Sequence, residues 1–260
     1  MMRPEARPTA VAGRFYPGDP SHLRTMIRRM LNKIEVPADE QLAPAYVVPH
    51  AGYRFSGPVA ATVYARLERF AGKVDRVVIL GPSHFARLEG CAGSPAGMWE
   101  TPLGDLHTVD APGLPADPVP HQREHSIEVQ LPFIQTVLGD VRITPIAVGY
   151  TPAEEVADLI DATVADDPRT VVLCSTDFSH FHPDEVARDL DRRTAAAVCE
   201  LDHERIDSGD ACGVFALRGL VAWAARHKYL PRQLALRTSA DSYGGNPNRV
   251  VGYPAFAVDA

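Results

Sequence analysis

Thr170-Val171-Val172-Leu173-Cys174 runs directly into Ser175-Thr176-Asp177-Phe178-Ser179-His180. Five β-branched or apolar residues in succession read as a strand buried on both faces. The polar stretch that follows reads as a loop leaving its carboxyl end. The same pattern occurs twice upstream. Ala45-Tyr46-Val47-Val48 leads to Pro49-His50-Ala51-Gly52-Tyr53, and Val74 to Leu80 leads to Gly81-Pro82-Ser83-His84. A fourth run, Ile143 to Val148, is a strand without a following histidine. Val250 to Val258 holds Gly252 and Pro254, so it is expected near a sheet edge.

Helical stretches separate these runs. Asp19 caps a helix with Pro20 at its first position, extending to about Lys33. Ser56-Gly57-Pro58 opens another, with Val59, Val63, Leu67 and Phe70 on one face. Glu124 to Leu138 has helical apolar spacing, with a kink expected at Pro132. Thr151-Pro152-Ala153-Glu154 reads as a capping box. Pro183 to Leu201 and Gly213 to Arg226 complete the set. Strands alternating with helices predict an α/β fold: a mainly parallel sheet flanked by helices on both faces. With 260 residues and no repeat or linker, one domain over residues 1–260 is expected.

Charge and composition exclude several classes. Twenty-six basic against 33 acidic residues give −7, no general reason to bind nucleic acid or an anionic membrane. No apolar run is long enough to span a bilayer, and Met1 to Gly18 lacks the apolar segment of a signal peptide, so a cytoplasmic protein is expected. Four cysteines at 91, 174, 199 and 212 show no CxxC spacing, which removes zinc ribbons and disulfide scaffolds. Ten histidines remain to be placed.

In open α/β sheets ligands bind beyond the carboxyl ends of the strands. Parallel strands would therefore put His50, His84 and His180 on one edge. A single loop histidine is better explained by local hydrogen bonds, but three at equivalent positions favour a shared site. Two neutral imidazoles and one anionic ligand with open positions suit an Fe(II) centre, and a third histidine nearby can move protons. The anion can be a carboxylate or a thiolate. Cys212 precedes an apolar-periodic helix, where a lowered thiol pKa is expected, against the alternative of an inert buried cysteine. Cys174, within a strand, fits the inert reading. Glu124 and Glu128, four apart on the expected helix, can support a ligating histidine or simply favour the helix start. His22, His107, His182, His203 and His227 are taken as ordinary loop residues.

Two motifs mislead. His121-Gln122-Arg123-Glu124-His125 matches the H-x-x-E-H of one zinc-peptidase class, but Pro120 and Pro132 make the required helix doubtful. Gly81-Pro82-Ser83-His84-Phe85 begins like a serine-hydrolase elbow, yet Phe85 stands where a small residue is needed. No P-loop and no strand-linked dinucleotide fingerprint occur.

Taken jointly, a series of motifs resembles the Memo-like family, named for the mediator of cell motility. They are Ala10 to Pro17, Pro49 to Tyr53, Leu80 to His84, Thr101 to Gly104, Glu124 to Glu128, Ser175 to His180, and Cys212-Gly213. The resemblance implies a fold similar to class III extradiol dioxygenases, which open catechol rings with non-haem iron. It implies His50, His84 and Cys212 as metal ligands, with Cys212 where the dioxygenases carry a glutamate. It makes His180 the acid–base residue with Asp177 beside it, both catalytic. Tyr53, Ser83, Glu124, His125 and Glu128 would line the pocket or support the ligands. Implied cofactors are Fe(II) or copper. Implied partners are a small molecule or peptide and the radical-SAM proteins of the AmmeMemoRadiSam system, in which prokaryotic members are called protein B. A soft thiolate beside bound oxygen is oxidisable, so this set favours metal binding over ring opening. Non-catalytic iron, copper or peptide binding is the alternative.

Overall fold

The apolar runs form the centre of one eight-stranded sheet in the computed structural model, which describes residues 6–165, 167–242 and 244–260. The signal-segment and domain expectations fall partly on residues 1–5, outside the described residues. In chain order the elements are α1 (Pro20–Leu31), β1 (Ala45–Val48), α2 (Gly57–Glu68), β2 (Arg76–Pro82), β3 (Cys91–Gly93), β4 (Met98–Thr101), β5 (Gly104–His107) and α3 (Val119–Gln122). Then follow α4 (Leu131–Leu138), β6 (Arg142–Val148), α5 (Ala153–Val164), β7 (Thr170–Ser175), β8 (His180–His182), α6 (Asp184–Cys199), α7 (Val214–His227), β9 (Leu230–Thr238) and β10 (Val250–Asp259).

The sheet order is β3-β6-β2-β7-β1-β10-β8, with β9 paired to β10. The central four, β6-β2-β7-β1, are parallel, and antiparallel strands extend the sheet on both sides. Strand alternation divides the core in two. Tyr46, Val48, Val77, Ile79, Val171 and Leu173 pack with buried residues of α1, α2 and α4. Ala45, Val47, Val78, Leu80, Val172 and Cys174 pack with those of α5, α6 and α7 on the other face. The protein is thus a mixed α/β fold with a mostly parallel central sheet flanked by helices. Among the described residues no helix is long and apolar enough to cross a membrane.

Register fixes the functional edge. Val48 lies opposite Ser175, and Leu80 opposite Cys174, so the loops after β1, β2 and β7 leave the same side.

Several expectations are corrected. β10 is interior, with antiparallel partners on both flanks. Pro254 lies between the stretches paired to β1 and β8 and next to a register shift at Ala255/Phe256, where a missing N–H interrupts least. β9 went unseen because its Arg232, Gln233 and Arg237 are exposed and mask the strand pattern. No capping box forms at α5: Thr151 bonds the Gly149 carbonyl instead. Residues 124–127 are not helical. A 3-10 turn at Glu128–Gln130 leads into α4, and Pro132 starts that helix without kinking it.

Candidate metal centre

His50 and His84 follow β1 and β2 by two residues each, and His125 arrives on the segment before the 3-10 turn. One ring nitrogen from each lies within 4.8 Å of the others. Ring centroids are 5.2 Å apart for His50 and His84, 5.4 Å for His50 and His125, and 4.7 Å for His84 and His125.

Hydrogen bonds fix which nitrogens are available. The Ser175 hydroxyl donates to the Ser126 carbonyl at 2.6 Å, so it must accept from His50 Nδ1 at 3.0 Å. His50 Nε2 therefore keeps its lone pair. Glu124 Oε1 accepts from His84 Nδ1 at 2.9 Å, which frees His84 Nε2 in the same way. His125 Nδ1 is buried without a hydrogen-bond partner. That nitrogen, 3.4 Å from Glu124 Oε1, and the Nε2 lone pairs of His84 and of His50, the latter facing Cys212 Sγ, fit a borderline transition metal in their donor chemistry.

The backbone is held as firmly as the rings. Asp177 Oδ1 accepts from the His50 N–H at 2.8 Å. Glu124 accepts from the N–H groups of His84, His125 and Ser126 at 2.6, 2.9 and 2.8 Å. Gly81 permits this approach, since a Cβ there would stand 2.5 Å from Ser126 Oγ. Gln130, buried, donates to Ser175 Oγ and to the Pro49 carbonyl and joins the two loops.

Electrostatics keep His50 and His125 unprotonated. Burial, together with charge on His84 and His125, holds His50 well below its ordinary pKa. Burial lowers His125 to about 4. Burial opposes ionisation of Glu124, but its bonds from His84 and Ser126 prevail and hold it at about 2. Two neutral imidazoles beside an ionised carboxylate are competent to receive a cation.

Cys212 Sγ lies 3.1 Å from His50 Nε2 and accepts from the Asp177 N–H at 3.3 Å. Gly213 makes this contact possible, because a Cβ there would stand 2.9 Å from Thr176. The expected lowering of the thiol pKa is not met. Burial and the neighbouring Asp177 push it up, outweighing any helix-terminus effect.

Other expectations are reassigned. Asp177, raised to about 7 by burial, anchors the backbone at His50, and its expected contact with His180 is absent among the described residues. His180 Nδ1 pairs with the Phe178 carbonyl at 2.7 Å, and the ring lies outside the three-imidazole group. Tyr53 is buried, with its hydroxyl on the Val129 carbonyl at 2.6 Å and its ring on Tyr16 and Phe133. Glu128 is buried in an ion pair with Arg7 and accepts from Ala10, Val11 and Tyr16, with no hydrogen bond to an imidazole among the described residues. Ser83 bonds the Ala86 carbonyl and lines a cleft with Cys212, Tyr150 and Phe215. His121 is tied to the Ala92 carbonyl against Trp99, so the H-x-x-E-H pattern does not assemble. Sequence reasoning placed His125 only in support, and missed Arg7, Ser126, Gln130 and Ser175. The S-T-D-F-S-H loop contained Ser175, but nothing local identifies its partner.

Residues 7–209 match the family described as Memo-like protein. A MEMO1 family protein of Methanopyrus kandleri is 37% identical, with 96% of this chain and 98% of that protein aligned. One from Desulfurococcus amylolyticus is 35% identical with the same coverage. One from Methanosarcina barkeri is 35% identical over 97% of this chain and all (100%) of its own length. Among solved structures, an uncharacterized protein from Escherichia coli K12 aligns with a TM-score of 0.46 at 13% identity. That alignment covers 81% of this chain and 99% of the other, a likeness too weak to assign a fold class.

Proposed function

The chain belongs to the Memo-like family, and from that premise we propose that it binds a transition metal, Fe(II) or copper, at the imidazole cluster. His50 and His84 would be its neutral donors and Cys212 its anionic donor, with His125 as a further nitrogen ligand. The observation that carries this reading is the convergence of three imidazoles within 4.8 Å, with the Cys212 sulfur against one of them. Glu124 supports it twice. It orients His84, and it leaves a buried negative charge beside the cluster with no Lys or Arg side chain paired to it among the described residues. Iron or copper bound there would supply redox chemistry and sites for oxygen or a bidentate substrate.

The reaction we infer is oxidative, of extradiol-dioxygenase type, on a fold of that class. In it His180 would move a proton to or from the substrate, while Asp177 positions His50 and Cys212 through the backbone. Service to a radical-SAM partner enzyme in the cytoplasm is part of the same reading. Binding at Cys212 would have to displace its proton, so loading is expected to release protons and to weaken at acid pH.

Anaerobic Fe(II) reconstitution followed by oxygen uptake across a panel of catechols tests the proposal. Metal-dependent uptake, lost in the His180→Ala variant with metal still bound, is expected. Stoichiometric metal without uptake would leave a binding module only. Wild-type metal stoichiometry in a Cys212→Ser, His84→Ala double variant would refute the ligand set.

A further inference from the structure

Exposed aromatic side chains gather on the edge of the sheet that carries the imidazoles. Phe85 follows β2, Tyr150 follows β6 and Phe181 lies beyond β7, at 54%, 67% and 59% exposure. The Phe85 ring is 6.4 Å from His84 and 5.9 Å from His125, and the Phe181 ring is 5.6 Å from His180. Phe15 reaches His125 from the N-terminal segment at 4.8 Å. Phe181 also adopts a φ of 66°. That left-handed conformation costs about 1–3 kcal/mol for a residue of this type and persists only where surrounding structure enforces it.

Both phenylalanines carry an arginine. The Arg123 guanidinium lies 5.1 Å from the Phe85 centroid, and that of Arg249 lies 4.3 Å from Phe181. Neither has a carboxylate partner among the described residues. Elsewhere the acidic excess is used freely: Arg226 alone faces Glu154, Asp158 and Asp161, and Arg188 faces Asp184 and Asp241. Arg14, Arg24 and Arg29 also lack a carboxylate partner among the described residues, and Lys73 lies over Phe70, but Arg123 and Arg249 lie on phenylalanines that neighbour the histidines of this edge. Cation–π stacking holds each guanidinium in place while leaving its N–H donors open to an anion.

We propose that this edge is the mouth of the site and takes a free aromatic carboxylate, its ring against Phe85 or Phe181 and its anionic group on Arg123 or Arg249. The inference rests on reading the imidazole cluster as the reaction centre, and it narrows the substrate class of that centre from aromatic to anionic aromatic. Ring burial supplies affinity, and the arginines supply discrimination against neutral analogues.

The test titrates the full-length protein, as purified without oxygen and again after chelation, with phenylacetate, phenylacetamide and acetate by ligand-observed NMR. Phenylacetate should bind at least about tenfold tighter than either control in both preparations. An Arg123→Gln, Arg249→Gln double variant should bring phenylacetate and phenylacetamide to near equality. A Phe85→Ala, Phe181→Ala double variant should weaken both ring compounds and keep their ratio. Equal binding of acid and amide, or a ratio that survives loss of both arginines, would overturn the proposal. So would a preference present only before chelation, which would place the carboxylate on the metal. A short peptide containing Phe and Glu that binds tenfold tighter than phenylacetate would overturn the small-molecule assignment. The same preference in a protein that holds no metal as purified and takes up neither Fe(II) nor copper when offered them would uphold the mouth and remove the metal reading.

Discussion

Glu124 and Glu128 stand four residues apart, both fully buried, and each accepts four hydrogen bonds, yet their surroundings differ in one decisive respect. Glu128 faces a permanent cation, Arg7, together with the N–H groups of Ala10 and Val11 and the hydroxyl of Tyr16. Its charge is cancelled, and the result is a lock that fastens residues 7–16 to the start of α4. Glu124 is satisfied by backbone N–H groups and an imidazole, with no guanidinium or ammonium on its carboxylate among the described residues. Its charge stays available to the space between the histidines. The same side chain therefore serves architecture at one position and, on the function proposed above, cation binding at the other.

The largest effect that separates them is on stability. Arg7→Ala leaves Glu128 buried without its cation and is expected to cost about 3–5 kcal/mol in chemical denaturation. The metal content of the folded fraction should stay at the wild-type level. A cost below about 1 kcal/mol would mean that the lock is not formed.

Glu124→Gln should show the opposite balance. Metal affinity is expected to fall about 10- to 100-fold, because the amide holds His84 less well and removes the local charge. Competition with a chromogenic chelator measures this, and unchanged affinity would break the comparison. The charge also has a pH signature in chelated protein. Glu124 falls from its ordinary 4.5 to about 2 on folding, so its stabilisation is complete above 4.5 and is lost as pH drops toward 2. Wild type and Glu124→Gln should converge in denaturation midpoint across that window. A difference that grows on acidification would contradict the assignment.

The smallest effect concerns Tyr53, expected from sequence to line the pocket. Its hydroxyl serves the Val129 carbonyl, so Tyr53→Phe should lose about 1 kcal/mol of stability and leave metal affinity unchanged. A loss of affinity would return it to the site.

Much of this was legible in the chain. β1, β2, β6 and β7 are continuous apolar runs because both of their faces are covered, and that pattern survives in sequence without knowledge of neighbours. His50 and His84 were found by the same local logic, as the polar residues at strand ends. Support of a ligating histidine was one of two readings open for Glu124, and its bond to His84 bears that reading out, whereas the role of Glu128 was not legible because it depends on a partner far along the chain. Arg7 meets Glu128 across 121 positions, and Cys212 meets His50 across 162. Cys212 was a candidate from its place before a helix, and the family resemblance put it in the ligand set with His50 and His84. A helix through residues 124–138 would have turned both carboxylates the same way. The bend before the 3-10 turn points them to different neighbours, and Gly81 admits that bend by leaving room for Ser126.

The central claim is that the imidazole cluster holds a redox-active metal. Elemental analysis of protein purified without oxygen, alongside His50→Ala prepared identically, tests it most directly. The account predicts near-stoichiometric iron or copper in the wild type and its loss in the variant. Equal metal in both proteins, or none in a wild type offered Fe(II) and copper, would contradict it.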